Sequence, residues 1–213
     1  MKGKFIVFEG IDGSGTTTQS ELLADFFRDI QCTSYLTSEP SSGPIGNLIR
    51  QGMKGRVIFA KDNKLSSKTD HLFDEQMAYL FAADRHDHLY NEVDGIVKLV
   101  NSGAMVISTR YYFSSLAYHC NSEEDELFVK SLNQKFPQPD LVIYLDNTVG
   151  SSLERISSRA FVDEYENEQK LKLVSENYRK IFDKYTGNLA IIKANKSIEE
   201  IQSEIISVVK EIL

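Results

Sequence analysis

The feature that most constrains this chain is the run Phe5-Ile6-Val7-Phe8-Glu9, which leads straight into Gly10-Ile11-Asp12-Gly13-Ser14-Gly15-Thr16-Thr17. A continuous apolar run that stops at glycines reads as a strand buried on both faces, the pattern of a parallel sheet covered by helices. A helical pattern follows at once, with Leu22, Leu23, Phe26, Phe27 and Ile30 at helical spacing. Strand, glycine turn and amphipathic helix form the context in which G-x-x-x-x-G-K-[ST] binds phosphate. Residues 10–17 match both glycines, the spacing and the final threonine, with Thr16 in place of the lysine. Three glycines let backbone N–H groups converge on one point, and the helix N-terminus adds partial positive charge. Gly10, Ile11, Asp12, Gly13, Ser14, Gly15, Thr16 and Thr17 are therefore assigned to the phosphates of a nucleotide donor. Thr17 is placed to put its hydroxyl on a magnesium ion.

Short apolar runs recur at Ser34–Ser38, Ala104–Ser108, Leu141–Leu145 and Leu189–Ile192. Helical spacing appears between and after them, at Phe73, Met77, Leu80 and Phe81, at Leu153 with Ile156, and from Ile198 to Ile212. Strands alternating with helices imply right-handed βαβ units around a parallel sheet. Ligands in such sheets sit at the carboxyl ends of the strands, so each polar group that follows a strand is a candidate. The 213 residues suit a single domain, 1–213. Lys54–Asp70 reads as a polar surface connection. Ser157–Lys172 mixes charges and aromatics and reads either as a small lid, at about 157–172, or as a solvated helix end.

The formal charge of −7 argues against a nucleic-acid partner, which normally needs a basic face. A small anionic substrate needs only a few clustered arginines. Cys32 and Cys120 are too few for a disulfide framework and read as buried thiols in a reducing compartment. No apolar run approaches the roughly 20 residues of a membrane span, and the opening stretch is too short for a signal peptide. The expected address is cytoplasmic, away from the membrane.

Six segments in order resemble the thymidylate kinase family, over nearly the whole chain. They are Phe8–Gly15; Ser38-Glu39-Pro40 with Ile49-Arg50; Leu80-Phe81-Ala82-Ala83-Asp84-Arg85; Arg110-Tyr111 with Ser114–Tyr118; Pro139–Asp146; and Ala194-Asn195. The resemblance implies an α/β P-loop NTPase-type, three-layer domain: a five-stranded parallel sheet flanked by helices, with a small lid. It implies phosphoryl transfer from ATP, with Mg²⁺, to dTMP, giving ADP and dTDP for dTTP biosynthesis. It also implies a homodimer. Ala194 and Asn195 resemble the adenine loop. Phe81 and Arg85 are four apart on one helix and share a face. Their family counterparts contact the acceptor base, one by stacking and one by donating to a ring carbonyl. Arg50 and Arg110 resemble clamps on the acceptor phosphate, work that suits the planar fork of arginine. Ser115 and His119 align with positions that read the base edge, with His119 replacing the more usual glutamine. Tyr118 resembles the residue that crowds the sugar 2′ position. Asp12 and Glu39 resemble acidic groups near the acceptor sugar, phosphate and metal.

The departures all concern charge. Thr16 stands for the P-loop lysine, Thr109 for the aspartate before Arg110, and Ser38 where bacterial members often have arginine. Asp163-Glu164-Tyr165-Glu166 has glutamate where many relatives have arginine. Arg155 and Arg159, four apart on an expected helix after the fourth strand, are the economical source of the missing cation. Asp12 or Glu39 is expected to hold metal-bound water in place of the absent aspartate. Two other functions fit the same residues: a kinase for another nucleotide or deoxynucleoside, and a nucleotide-binding homologue that has lost catalysis.

Overall fold

Each apolar run forms a strand in the computed structural model, which describes residues 2–59, 72–157 and 168–213. The chain runs β1 (Lys4–Glu9), α1 (Thr16–Asp29), β2 (Ser34–Ser38), α2 (Pro44–Met53), α3 (Leu72–Tyr90), α4 (Ile96–Asn101) and β3 (Met105–Thr109). It continues through α5 (Tyr112–Tyr118), α6 (Glu123–Asn133), β4 (Leu141–Asp146), α7 (Val149–Ser157), α8 (Glu168–Asp183), β5 (Leu189–Lys193) and α9 (Ile198–Lys210). The strands pair in the order β2-β3-β1-β4-β5, every pairing parallel. The central strands β1, β3 and β4 are buried nearly throughout, while Tyr35 and Leu36 on edge strand β2 are exposed.

The alternation along β1 builds two cores. Phe5 and Val7 point into one, with Tyr111, Phe113, Tyr178 and Phe182. Ile6 and Phe8 point into the other, against Leu23, Phe27, Ile107, Ile143 and Ile205. Helices cover both faces, which is why a continuous apolar strand is stable here. The register pairs Phe8 with Thr109, Ser38 with Thr109 and Glu9 with Tyr144. Glu39, Arg110 and Gly10 therefore leave the sheet side by side, at the point where the chain changes from building one side of β1 to the other.

Two differences from the sequence expectations have clear causes. Residues 168–172, expected in the lid, form the first turns of α8, because Leu171, Val174, Tyr178 and Phe182 bury one face at helical spacing. Helix α6, which apolar spacing did not single out, starts at a polar signal. Ser122 caps it by accepting the Asp125 N–H, and its first turn is acidic. Cys120 is buried as expected, whereas Cys32 is only half-buried. Positions 60–71 and 158–167, including Arg159 and Asp163–Glu166, lie outside the described residues.

The glycine loop between β1 and α1 is fixed from behind. Gly13 has φ 80°, and a Cβ there would sit 2.6 Å from the Ser152 carbonyl oxygen of α7. Gly13→Ala should therefore cost about 1–3 kcal/mol through strain and clash. Gly150→Ala, on an exposed turn of the same helix with nothing within 4 Å, should instead gain about 0.5–1 kcal/mol. Urea unfolding of the two variants beside the parent measures both.

Candidate active site

One cavity of about 470 Å³ collects Asp12–Gln19 of the loop and first helix turn, with Glu39, Thr109, Arg110, Arg155 and Lys196. Gly10 is needed where it is, because a Cβ would meet the Ser14 hydroxyl at 2.4 Å. Gly15 caps α1 with φ 98°. The Ser14 Oγ, buried inside the loop, has no hydrogen-bond partner among the described residues. Thr16 is half-buried and Thr17 exposed on the opening turn of α1. Arg155 leans across the loop, donating to the Gly13 carbonyl at 3.2 Å and, from its other terminal nitrogen, to the Ala194 carbonyl at 3.2 Å. Arg155 thus joins the phosphate loop to the segment expected to hold adenine. Lys196, which the sequence reading passed over, also lines the cavity and pairs with Glu204 at 2.5 Å.

Arg110 is engaged on several sides at once. Its backbone sits at φ 73°, a region non-glycine residues adopt only where the surroundings enforce it, and its N–H donates to the Phe8 carbonyl at 2.8 Å. Its guanidinium pairs with Asp12 at 2.5 Å and lies 5.0 Å from the Tyr118 ring centroid. It also donates to Ser114 at 3.1 Å and Tyr178 at 3.2 Å. Behind it lies Glu9, fully buried, which accepts from the Tyr111 N–H at 2.8 Å, the Ser114 hydroxyl at 2.7 Å and the Tyr178 hydroxyl at 2.8 Å. Burial pushes the Glu9 carboxyl up to about 7, although Arg110 and the three hydrogen bonds oppose the shift. Tyr118, expected against a sugar, is buried, and its hydroxyl bonds to Asp12. Its hydroxyl donates to Oδ2 at 2.9 Å and accepts the Asp12 N–H at 3.1 Å.

The residues expected to face the acceptor form a ladder between α3 and α5. Phe81 faces His119 at 5.3 Å between ring centroids, and one turn on Arg85 donates to Ser115 at 3.2 Å. Arg85 is 1% exposed and its charge is met by Glu39, which accepts from Nε at 2.9 Å and from a terminal nitrogen at 2.5 Å. Asn133 accepts from the other terminal nitrogen at 2.5 Å. A buried arginine with its carboxylate partner is held in one orientation, and breaking such a pair is expensive. His119 packs inside the fold. It is buried, and burial pushes its imidazole down to about 4, so it is neutral near pH 7. Arg50, assigned to the acceptor phosphate, donates to the Pro40 and Ser41 carbonyls and to the Ser38 hydroxyl. In this arrangement it braces the loop after β2.

The thymidylate kinase family model matches residues 8–205. The chain belongs to the thymidylate kinase family. A protein of Pyrococcus horikoshii described as a probable thymidylate kinase is 39% identical over 99% of this chain and 97% of its own length. One of Methanococcus aeolicus, described in the same words, is 38% identical over 95% of this chain and 94% of its own. The solved thymidylate kinase of Candida albicans, at 23% identity, superposes with a TM-score of 0.76 over 99% of this chain and 92% of that one. It shows the same fold.

Within this family member, the structure gathers every described site residue of the sequence reading at the carboxyl end of the sheet or on the α3–α5 ladder. The residues missed were Glu9, Ser114 as a hydrogen-bonding group, Asn133, Tyr178 and Lys196. Glu9 carried the one available signal, a carboxylate closing an otherwise apolar strand. Tyr178 had none, because its partner lies 169 positions away.

A Glu9 carboxyl that ordinarily titrates near 4.5 and here near 7 binds its proton more tightly in the folded state. The Glu9 contribution to stability should then be greatest below about 4.5, fall as pH rises through 7, and level off above. The contribution lost is roughly 3 kcal/mol. Urea midpoints at pH 5 and pH 8 should show Glu9→Gln gaining on the parent as pH rises.

Proposed function

We infer that this chain catalyses phosphoryl transfer from ATP to dTMP, giving ADP and dTDP. The observation that carries the reading is that the phosphate-binding loop and the acceptor-side residues Glu39 and Arg110 line one cavity, in a chain of the thymidylate kinase family. Loop amides hold the donor phosphates, and Ala194 and Asn195 border the adenine. Arg110 grips the acceptor phosphate, with Arg50 bracing the loop beside it. Phe81 stacks on the pyrimidine, and Arg85, Ser115 and the neutral His119 present donors and acceptors to its edge. Transfer is in line and needs no covalent enzyme intermediate, so positioning and electrostatics carry the rate.

Mg²⁺ suits the residues present. The exposed Thr17 hydroxyl and the Asp12 carboxylate, its side chain 24% exposed, flank the phosphate cradle. Glu39 is 1% exposed and committed to Arg85, so Asp12 is the better of the two acids to hold metal-bound water. Among the described residues no group of three metal-ligating side chains forms a protein cage, in keeping with an ion that keeps most of its water and takes nucleotide phosphates as ligands. When bound, the ion neutralises charge on the donor phosphates. A cytoplasmic homodimer completes the reading, supported by the free cysteines and by exposed Tyr79 and Leu127 on α3 and α6.

A coupled assay with ATP, Mg²⁺ and dTMP tests the reaction, with dCMP as the rejected acceptor. Arg85→Ala should weaken dTMP binding and relax rejection of dCMP by about tenfold or more, since a site built around a buried donor penalises the wrong partner. Unchanged discrimination would take the base-reading role away from Arg85. For the cation missing at Thr16, Arg155 and Arg159 are the assigned source. The double variant Arg155→Ala/Arg159→Ala should lose at least about 10²-fold in turnover, the scale of one preorganised donor. Thr16→Lys in that background should recover part of it. Near-normal turnover of the double variant would move the assignment to Lys196 and Arg56.

A further inference from the structure

We propose that Glu9 is the positioning residue for Arg110, holding its guanidinium in place through the hydroxyls of Ser114 and Tyr178. The proposal rests on reading Arg110 as the acceptor-phosphate clamp. One terminal nitrogen of Arg110 reaches both hydroxyls, at 3.1 and 3.2 Å. Both hydroxyls in turn donate to the same Glu9 oxygen, Oε2, at 2.7 and 2.8 Å, and lie 2.9 Å from each other. A hydroxyl has a single proton. Once that proton is committed to a carboxylate, only lone pairs remain to face the guanidinium. Ionised Glu9 therefore fixes Ser114 and Tyr178 as acceptors for Arg110. A carboxylic acid or an amide at position 9 would claim a hydroxyl lone pair for itself and turn a hydroxyl proton toward the cation.

The other Glu9 oxygen accepts the N–H of Tyr111, the residue after Arg110, so the same carboxylate also pins the strained backbone of the clamp. The family resemblance puts an acid directly before this arginine, and here that position is Thr109. The negative charge around Arg110 comes instead from Asp12 in direct contact and from Glu9 one hydroxyl away. Four elements meet at Glu9: β1, β4, the start of α5, and α8. The titratable groups facing it are Arg110, Tyr111 and Tyr112 from the α5 segment, Tyr144 from β4 and Tyr178 from α8. Asp12 and Tyr118 lie beyond Arg110. Burial pushes all of these tyrosines above their ordinary range, so they stay neutral near pH 7. Arg110 stays charged, with Asp12 beside it. Glu9 is thus the member of the network that changes charge near neutrality, with its carboxyl at about 7. The sign is opposite to that for stability: the clamp needs the carboxylate, so acceptor capture improves as pH rises through that value.

The test is steady-state kinetics of the full chain from pH 6 to 9, varying dTMP at saturating ATP and then ATP at saturating dTMP. The parent-to-Glu9→Gln ratio of kcat/KM for dTMP cancels titration of the nucleotide's own phosphate. That ratio should rise with pH through about 7 and reach about tenfold or more at pH 8, the scale of a hydrogen bond to a charged group. KM for ATP should move less than about twofold, within the scatter expected of sites that do not couple. Tyr178→Phe should lose in the same direction and add little in the Glu9→Gln background, because the two act on one contact. A ratio flat with pH, an equal loss for ATP, or full additivity would overturn the proposal. If Glu9→Gln does not fold, Tyr178→Phe and Ser114→Ala decide it: a loss confined to dTMP supports it, and an equal loss for ATP refutes it. Arg110→Ala separates the two assignments. Unchanged use of dTMP there overturns the clamp and this proposal together, whereas a loss there beside an unaffected Glu9→Gln overturns only the role of Glu9.

Discussion

Three parallel strands ending side by side set up all the chemistry of this molecule. The pairing of β1 with β3 and β4, and of β3 with β2, brings Gly10, Arg110 and Glu39 out of the sheet as neighbours. Because β1 and β3 are buried by helices on both faces, a slip in their register would move apolar residues out of two cores at once. The strand ends are therefore rigid, and short loops between rigid ends can hold arginines to the tolerance that phosphoryl transfer requires.

Around those strand ends the protein concentrates buried charge and meets it locally. Arg85 is locked to Glu39 and Asn133. Arg110 is locked to Asp12 and, through hydroxyls, to Glu9. Desolvated pairs of this kind contribute little net stability but strongly disfavour other geometries, since leaving one partner alone is costly. Glu9 shows the tension most directly. Its burial opposes the ionised form, while the hydrogen bonds arriving at it are arranged for that form. Such conflicts between local cost and arrangement are characteristic of functional sites.

The absent P-loop lysine fits the same electrostatic pattern. The glycine loop and the N-terminus of α1 still line the cavity, and the cationic side chains lining it come from elsewhere: Arg110 after β3, Arg155 from α7 and Lys196 before α9. Charge that is usually supplied from within the loop is here placed around it. Arg155, bonded to the carbonyls of both Gly13 and Ala194, links two parts of the site that are far apart in sequence.

Local pattern alone determined much of this protein. Short runs of four or five residues located all five strands to within a residue or so, most plainly at β1, β3 and β4, where a strand buried on both faces has no polar alternation to confuse it. The glycines of 10–15 announced the tight loop between β1 and α1, because Gly13 and Gly15 take left-handed backbone angles that glycine adopts at no steric cost. The i, i+4 spacing of Phe81 and Arg85 put them on one face. What pattern could not supply was the identity of partners across the sheet. Nothing near Arg110 in sequence indicates that its side chain answers to Asp12 in the loop, to Tyr178 on α8 and, through it, to Glu9 on β1. Nothing near Arg50 indicates that it braces the loop after β2. Propensity and periodicity are local quantities and were legible. Desolvation and hydrogen-bond pairing depend on which distant segments the folded chain brings together, and only the tertiary structure decided them.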